Sequence, residues 1–290
     1  MARVIVPAAD AILDIPVPIY GDGIGEVVPL DYMGGDVRIV EAARTSYQGG
    51  TKTVNEDRGL IQHLMRNAHT SPFEQVILLW YMRIPLFVAV QLVRHRTSRL
   101  NAESGRYSVM ENKFYIPKIN ELRGQGDKDK QVGDGVLEGL NALEAHSHLV
   151  NACNEAYERY EKLLKAGVAR EQARMVLPQN LYVKWYWQMD LHNWFHMAGL
   201  RLDWHAQLEC RQAVAAQVPL VQAVAPIAFE AWQNEVFDSI RLSGKERAFV
   251  QDELNRAVPA NDLSELAKAE FGEKGAARLL DKLRSPHRYA

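Results

Sequence analysis

VILLWYMRIPLFVAVQLVRHRTSRLNAESGRY, residues 76–107, is the stretch that sets the fold. Residues 76–84 are β-branched and aromatic, which predicts a buried strand. Pro85 then opens an apolar helix, LFVAVQLV, that delivers Arg94, His95 and Arg96 at its end. A second run of the same character, LYVKWYWQM at 181–189, predicts another strand. Asp190 can cap the helix after it, which holds His192 and His196.

Working outward, Asp36 reads as an N-cap, with Val37, Val40 and Ala43 on one face of a helix running to about Ser46. A helix near 55–68 carries Leu60, Ile61, Leu64 and Met65 on one stripe. Ser71-Pro72-Phe73-Glu74 has the form of a capping box with proline at the first helical position. A long helix bears Leu149, Cys153, Ala156, Tyr160 and Leu163 and stops at Gly167. A short helix ends before Pro178, and another spans His205 to Val218. The first thirty residues, with Pro7, Pro16, Pro18, Pro29 and the run Gly21-Asp22-Gly23-Ile24-Gly25, read as irregular. That run is not GxGxxG. Residues 124–135 read as a polar loop. Helices outnumber strands without a βαβ rhythm, so the fold class is α+β. The expected division is a catalytic domain over 1–240 and a charged helical tail over 241–290, packed on it after the linker-like AVPAND at 257–262.

The chain has 290 residues, with 34 Lys+Arg against 36 Asp+Glu and a formal charge of −2. That balance argues against a general nucleic-acid coat or a polybasic membrane binder. Two cysteines, Cys153 and Cys210, cannot make a disulfide framework, and a reducing cytoplasmic setting is the simplest expectation. No apolar run approaches the ~20 residues that span a bilayer.

Against this neutral background, residues 94–107 hold four arginines and one glutamate. Guanidinium forks, a serine hydroxyl and a glycine N–H suit a phosphate monoester. A surface loop pairing with acids elsewhere is the alternative. Arg174 and Arg201 lie among apolar neighbours, where an arginine requires a fixed partner, either a carboxylate or a ligand. His192 and His196, four apart, with Asp203, His205 and Glu209 following, have zinc-compatible spacing. HNWFH lacks the glutamate of a zincin, so a polar pocket wall or a core histidine competes with a metal and a hydrolase.

RHRTSRLNAES is an instance of RHR-x7-S, and the chain resembles the flavin-dependent thymidylate synthases (ThyX). AARTSY at 42–47, HTSPFE at 69–74, IPLFVAVQLVRHR at 84–96, SGRYS at 104–108, EQARMVLPQNLY at 171–182 and LRLDWHAQLE at 200–209 follow in the family's order. The resemblance covers roughly residues 20–240. It implies a mostly antiparallel central sheet flanked by long helices, and a homotetramer with shared active sites. It also implies methylation of deoxyuridylate by 5,10-methylenetetrahydrofolate, with FAD as hydride donor and NADPH as its reductant. No metal, nucleic acid or membrane is expected.

By the same resemblance Gln91, Leu92, Val93, Arg94, Glu103, Ser104, Gly105, Arg106, Arg174 and Arg201 hold the nucleotide. Arg201 favours loss of the uracil N3 proton, and His69 steers folate or a proton. FAD contacts map to Ser71, Glu74, Arg94, His95, Arg96, Asn101, Glu103, Asp190, Leu191, His192, His196 and His205. The family commonly reads N-E-x-S, where this chain has Asn101-Ala102-Glu103-Ser104, which puts the role of the acid in question. A non-catalytic flavin or nucleotide sensor is the other class compatible with that change.

Overall fold

A computed structural model describes residues 3–45, 53–126, 133–257 and 260–284. The predicted helix end at Ser46, the middle of the 124–135 loop and part of the AVPAND linker lie outside these residues. Contacts divide the chain into two units, Met1–Asp238 and Ser239–Ala290.

The first unit is built on a sheet of five strands, β1 (Val17–Pro18), β2 (Glu26–Met33), β3 (Ile77–Pro85), β4 (Ser98–Ala102) and β7 (Tyr182–Asp190). Their order across the sheet is β1-β2-β3-β7-β4, with every neighbour antiparallel. A separate ribbon pairs β5 (Arg123–Gln125) with β6 (Gly133–Val136). The helices are α1 (Pro7–Asp10), α2 (Asp36–Ala43), α3 (Val54–Arg66), α4 (Leu86–Leu92), α5 (Gly139–Lys165), α6 (Arg170–Ala173), α7 (Leu191–Arg201), α8 (Leu208–Ala215), α9 (Val218–Val224) and α10 (Pro226–Trp232). The second unit holds α11 (Gly244–Ala257) and α12 (Ala260–Arg284), the latter kinked where Gly272 takes φ 68°. Among the described residues no helix is long and apolar enough to cross a membrane.

Strand alternation explains the core. Leu78, Trp80, Met82 and Ile84 of β3 and Trp185, Trp187 and Met189 of β7 are buried on one face. Cross-strand register pairs Trp80 with Trp187 and Met82 with Trp185. Tyr81 and Tyr186 meet edge-on at 5.6 Å on the opposite face, where Tyr186 is exposed. Helices α7 and α10 contribute an aromatic layer in which Phe195 stacks on Trp232 at 5.1 Å. Within it the Trp194 indole N–H donates to Gln217 Oε1 at 2.9 Å, so that polar group is buried with a partner.

The two strands at 76–84 and 181–189 and the helices at α3, α5 and α7 stand as expected, including the Asp190 cap, which accepts from Asn193 N–H at 3.0 Å. Several local readings change. The N-terminal thirty residues are not wholly irregular, because 26–33 is a strand. Pro29 argued against it, and the ladder accommodates Pro29 at a register shift between Pro29 and Asp31. Asp36 does not cap its own helix; its carboxylate accepts from Ile227 and Ala228 N–H, each at 2.9 Å, and so caps α10. Residues 71–74 form no capping box but a 3₁₀ turn at Phe73–Gln75, because β3 begins too soon for a helix. A capping box does form between Thr53 and Glu56 at the start of α3. The helix expected over His205–Val218 is α8 followed by α9, with Pro219 in the first turn of the second. The polar loop at 124–135 includes parts of both strands of the β5–β6 ribbon.

Two tyrosines tie the N-terminal segment to the body, and a third packs on Tyr20 within the same cluster. Tyr20 Oη donates to the Glu209 carbonyl at 3.1 Å, Tyr115 Oη to Glu209 Oε1 at 3.1 Å, and Tyr182 Oη to the Asp22 carboxylate. Burial pushes all three phenols well above their ordinary range. Asp22 also accepts from Ile24 and Gly25 N–H, so the glycine run is a turn closed on itself.

Burial raises the Asp36 carboxyl to about 6, while its bonds from Ile227 and Ala228 pull the other way. Asp36→Ala should lose about 1–2 kcal/mol of stability through the uncapped α10. Asp36→Ser, which keeps an acceptor, should recover part of it in urea unfolding.

Candidate active site

Sheet topology decides where the chemistry collects. Both β3 and β4 run antiparallel to β7, so they are parallel to each other with β7 between them. Helix α4 is the return that makes this possible, with Leu86 N–H donating to the Leu181 carbonyl at 2.9 Å as it leaves β3. The Arg94–Arg96 loop therefore arrives at the end of the sheet where β7 gives way to α7.

That end gathers one group of expected residues. Leu191 N–H donates to the Val76 carbonyl at 2.8 Å, which joins α7 to the turn bearing Ser71 and Glu74. Arg201 Nε donates to His95 Nε2 at 3.0 Å, and Arg201 Nη2 donates to the Gln91 carbonyl at 3.2 Å. Gln91 Nε2 donates to Gln207 Oε1 at 2.6 Å. Leu92 and Leu191 are fully buried, so only their backbone is available to a ligand, whereas Val93 is exposed. A cavity of about 170 Å³ opens here, walled by Leu64, Phe73, Phe195 and Trp232 with His69, His192 and His196 among its lining. His205 lies two residues before Gln207, held by Asp203 at 2.7 Å, its ring tilted against that of Trp204.

A second group sits at the far end of β4. Ser104 Oγ accepts from Arg106 N–H at 3.3 Å. Gly105 is buried, and a Cβ there would lie 2.9 Å from Met110 Sδ and 3.0 Å from Arg174 Cδ. The absence of a side chain at Gly105 is what lets Arg174 lie beside the Ser104–Arg106 turn. Asn101 lies within β4, opposite Tyr186. The five residues of β4 keep the two groups roughly 15 Å apart at ~3.3 Å per residue. Within one chain, Arg201 and Gln91 are thus not brought to Ser104, Arg106 and Arg174.

The arginines have few acids to neutralise them. Among the described residues Arg94, Arg96 and Arg174 make no ion pair, and Arg106 approaches Glu171 at 3.3 Å with both side chains more than half exposed. Among the described residues, a loop folded onto local carboxylates does not describe this cluster. Arg201 likewise takes an imidazole and a carbonyl rather than a carboxylate. No group of three or more His, Cys, Asp or Glu among the described residues is placed to hold a metal ion. The cavity itself is lined by apolar side chains and imidazoles, and no arginine is part of its wall.

The family described as thymidylate synthase complementing protein matches residues 30–227. The chain belongs to the flavin-dependent thymidylate synthase family. It is 39% identical over 279 residues to the flavin-dependent thymidylate synthase of Treponema pallidum, covering 94% of this chain and 89% of that one. An enzyme of that name from Thermus thermophilus is 42% identical over 272 residues, covering 94% and 97%. Among solved structures, the UMP/dUMP methylase PolB from Streptomyces cacaoi bound with 5-Br dUMP superposes with a TM-score of 0.67 at 31% identity, covering 72% of this chain and 94% of that one.

The family motifs did not single out Gln207 or Asn193, though both lie near motif residues. Gln207 is inside the quoted LRLDWHAQLE stretch, and its signal was the amide two positions before the buried Glu209. Asn193 carried no signal beyond its place in the first turn of α7.

Burial, then the charge of Arg201, then His196 lower the His95 imidazole to about 4. As the acceptor from Arg201 it is neutral, with its proton on Nδ1. An unfolded chain takes up that proton near the ordinary 6.5, so the stability His95 contributes is present above about pH 6.5 and is lost as pH falls towards 4. Arg201→Met should raise the His95 pKa yet leave it below 6.5, because burial is the larger cause. Histidine NMR titration reads this directly; an unchanged value would show that the guanidinium has no hold on the ring.

Proposed function

We propose that this chain methylates deoxyuridylate to thymidylate as a homotetramer. The methylene comes from 5,10-methylenetetrahydrofolate, and NADPH is the reductant through FAD. The observation that carries the reading is Arg201, bonded at once to His95 and Gln91 at the flavin end of the sheet. The arginine expected at the uracil ring thus stands beside a residue expected at the flavin.

When bound, FAD supplies the hydride that completes the methyl group. The chain's own residues hold and polarise. Arg201 uses two of its five N–H donors internally and keeps the rest for a uracil carbonyl or ring nitrogen, where fixed positive charge stabilises the anion left by the N3 proton. Arg94, Arg96, Arg106 and Arg174 meet phosphate, which carries about −1.5 to −2 charges near neutrality. Ser104 binds rather than attacks, its Oγ accepting from Arg106 N–H and, among the described residues of its own chain, making no hydrogen bond to an imidazole. Both cysteines are buried and burial pushes the Cys210 thiol up to about 11, so neither is a ready nucleophile. That agrees with a reaction without an enzyme-bound thiol adduct.

The change at 102–103 has a geometric consequence. Ala102 pairs with Trp185, and Glu103 N–H continues the ladder to the Lys184 carbonyl at 2.7 Å. Adjacent strand residues point to opposite faces, so Glu103 shares the face of Asn101 and does not replace a side chain at 102 by a simple shift.

The separation of the two residue groups along β4 supports a site completed by a second copy, one chain giving Arg201 and Gln91 and another giving Ser104, Arg106 and Arg174. Arg201→Ala and Arg106→Ala should each lower thymidylate formation by at least about a hundredfold, the scale of one lost charge-stabilising group. Mixing and reassembling the two inactive proteins should restore turnover, because some sites then contain neither substitution; no recovery would place each site within one chain. The parent assay is thymidylate formation with FAD, NADPH, deoxyuridylate and methylenetetrahydrofolate, with UMP run alongside because the similar PolB is named for both substrates. A chain that never acquires flavin absorbance overturns the assignment.

Ser104→Ala should weaken deoxyuridylate binding by about tenfold through one lost charge-assisted bond while leaving turnover at saturation nearly intact. Loss of turnover with intact binding would return Ser104 to the role of nucleophile.

A further inference from the structure

Three hydrogen bonds through Asn193, a residue outside the expected site, connect parts of that site. Thr97 Oγ1 donates to Asn193 Oδ1 at 2.7 Å, Asn193 Nδ2 donates to Asp190 Oδ2 at 2.6 Å, and Asn193 N–H donates to Asp190 Oδ1 at 3.0 Å. Thr97 directly follows the Arg94–Arg96 loop, and Asp190 is the N-cap of α7. A carboxylate only accepts, so the amide must turn its NH₂ to Asp190 and its oxygen to the threonine hydroxyl. The orientation of Asn193 is thereby fixed from both sides.

We propose that Asn193 is a positioning residue that locks the Arg94–His95–Arg96 loop to the first turn of α7, and through that lock sets flavin affinity. Besides this lock the loop is held through His95, which accepts from Arg201 and donates its backbone N–H to the Leu92 carbonyl, but its two arginine side chains have no such tie. Arg94 and Arg96 are exposed and make no ion pair among the described residues, and Ser98 Oγ donates only within the loop, to the His95 carbonyl at 2.9 Å. On the other side of the lock, both Asp190 oxygens are engaged by Asn193. Asp190 therefore acts as the anchor of the wall that carries His192 and His196, and the Thr97 bond carries that anchorage across to the arginines. A guanidinium held in place before the ligand arrives loses less conformational freedom on binding. The inference rests on the proposed flavin site.

The test is FAD affinity of the full-length chain by fluorescence titration, for wild type, Thr97→Val, Asn193→Ala, the double variant and Thr97→Ser, with thermal melting alongside. Each of Thr97→Val and Asn193→Ala should weaken FAD binding about fivefold, the scale of one partly exposed hydrogen bond. The double variant should be no weaker than Asn193→Ala alone, since the two side chains act through one bond. Thr97→Ser keeps the hydroxyl and should bind FAD like wild type. Wild-type affinity in both single variants, or losses that multiply in the double variant, overturns the inference while leaving the flavin reading in place. A wild-type chain that never binds FAD overturns both. Thr97 is exposed, so Thr97→Val tests the bond without removing a core group.

Discussion

Nine residue pairs between β3 and β7 hold this molecule in register, from Ile77 opposite Asp190 to Pro85 opposite Tyr182. A slip of β7 by one residue would turn Trp185 and Trp187 out of the core and move Asp190 off the start of α7. The same ladder also decides the chemistry. It makes α4 carry the chain back along the sheet, so the Arg94–Arg96 loop, the 3₁₀ turn after His69 and the first turn of α7 meet at one end. Arg201, at the close of α7, then reaches His95 because both ends of that helix are tied to the same neighbourhood. The arginines of the candidate site are thus placed by apolar packing several residues away from them.

Much of this was legible in the sequence because its signals were local and strong. The aromatic runs at 76–84 and 181–189 had no competing period, and Asp190 stood at an obvious helix start. The basic cluster at 94–107 was visible against a nearly neutral chain. What escaped depended on partners distant in sequence. Asp36 looked like a cap for the helix beside it, yet it caps α10 because that helix starts against it in space. Pro29 spoke against a strand that a register shift makes possible. The link from Thr97 through Asn193 to Asp190 joins residues nearly a hundred positions apart, and no spacing rule exposes it. The distance between Arg201 and Ser104 was equally hidden, since both belonged to one expected set until β4 was seen to stand between them.

The edges of the sheet have a consequence of their own. One outer strand, β1, is two residues long and contains Pro18, which has no N–H to offer. The other, β4, is five residues long, carries Arg99, and exposes four of its five side chains. Neither border offers a long, flat row of free amides and carbonyls, so the sheet is a poor template for an incoming strand. Strand addition at either border of this sheet is therefore disfavoured. Placing the basic segment on such a border leaves it reachable by ligand without making it a seed for aggregation.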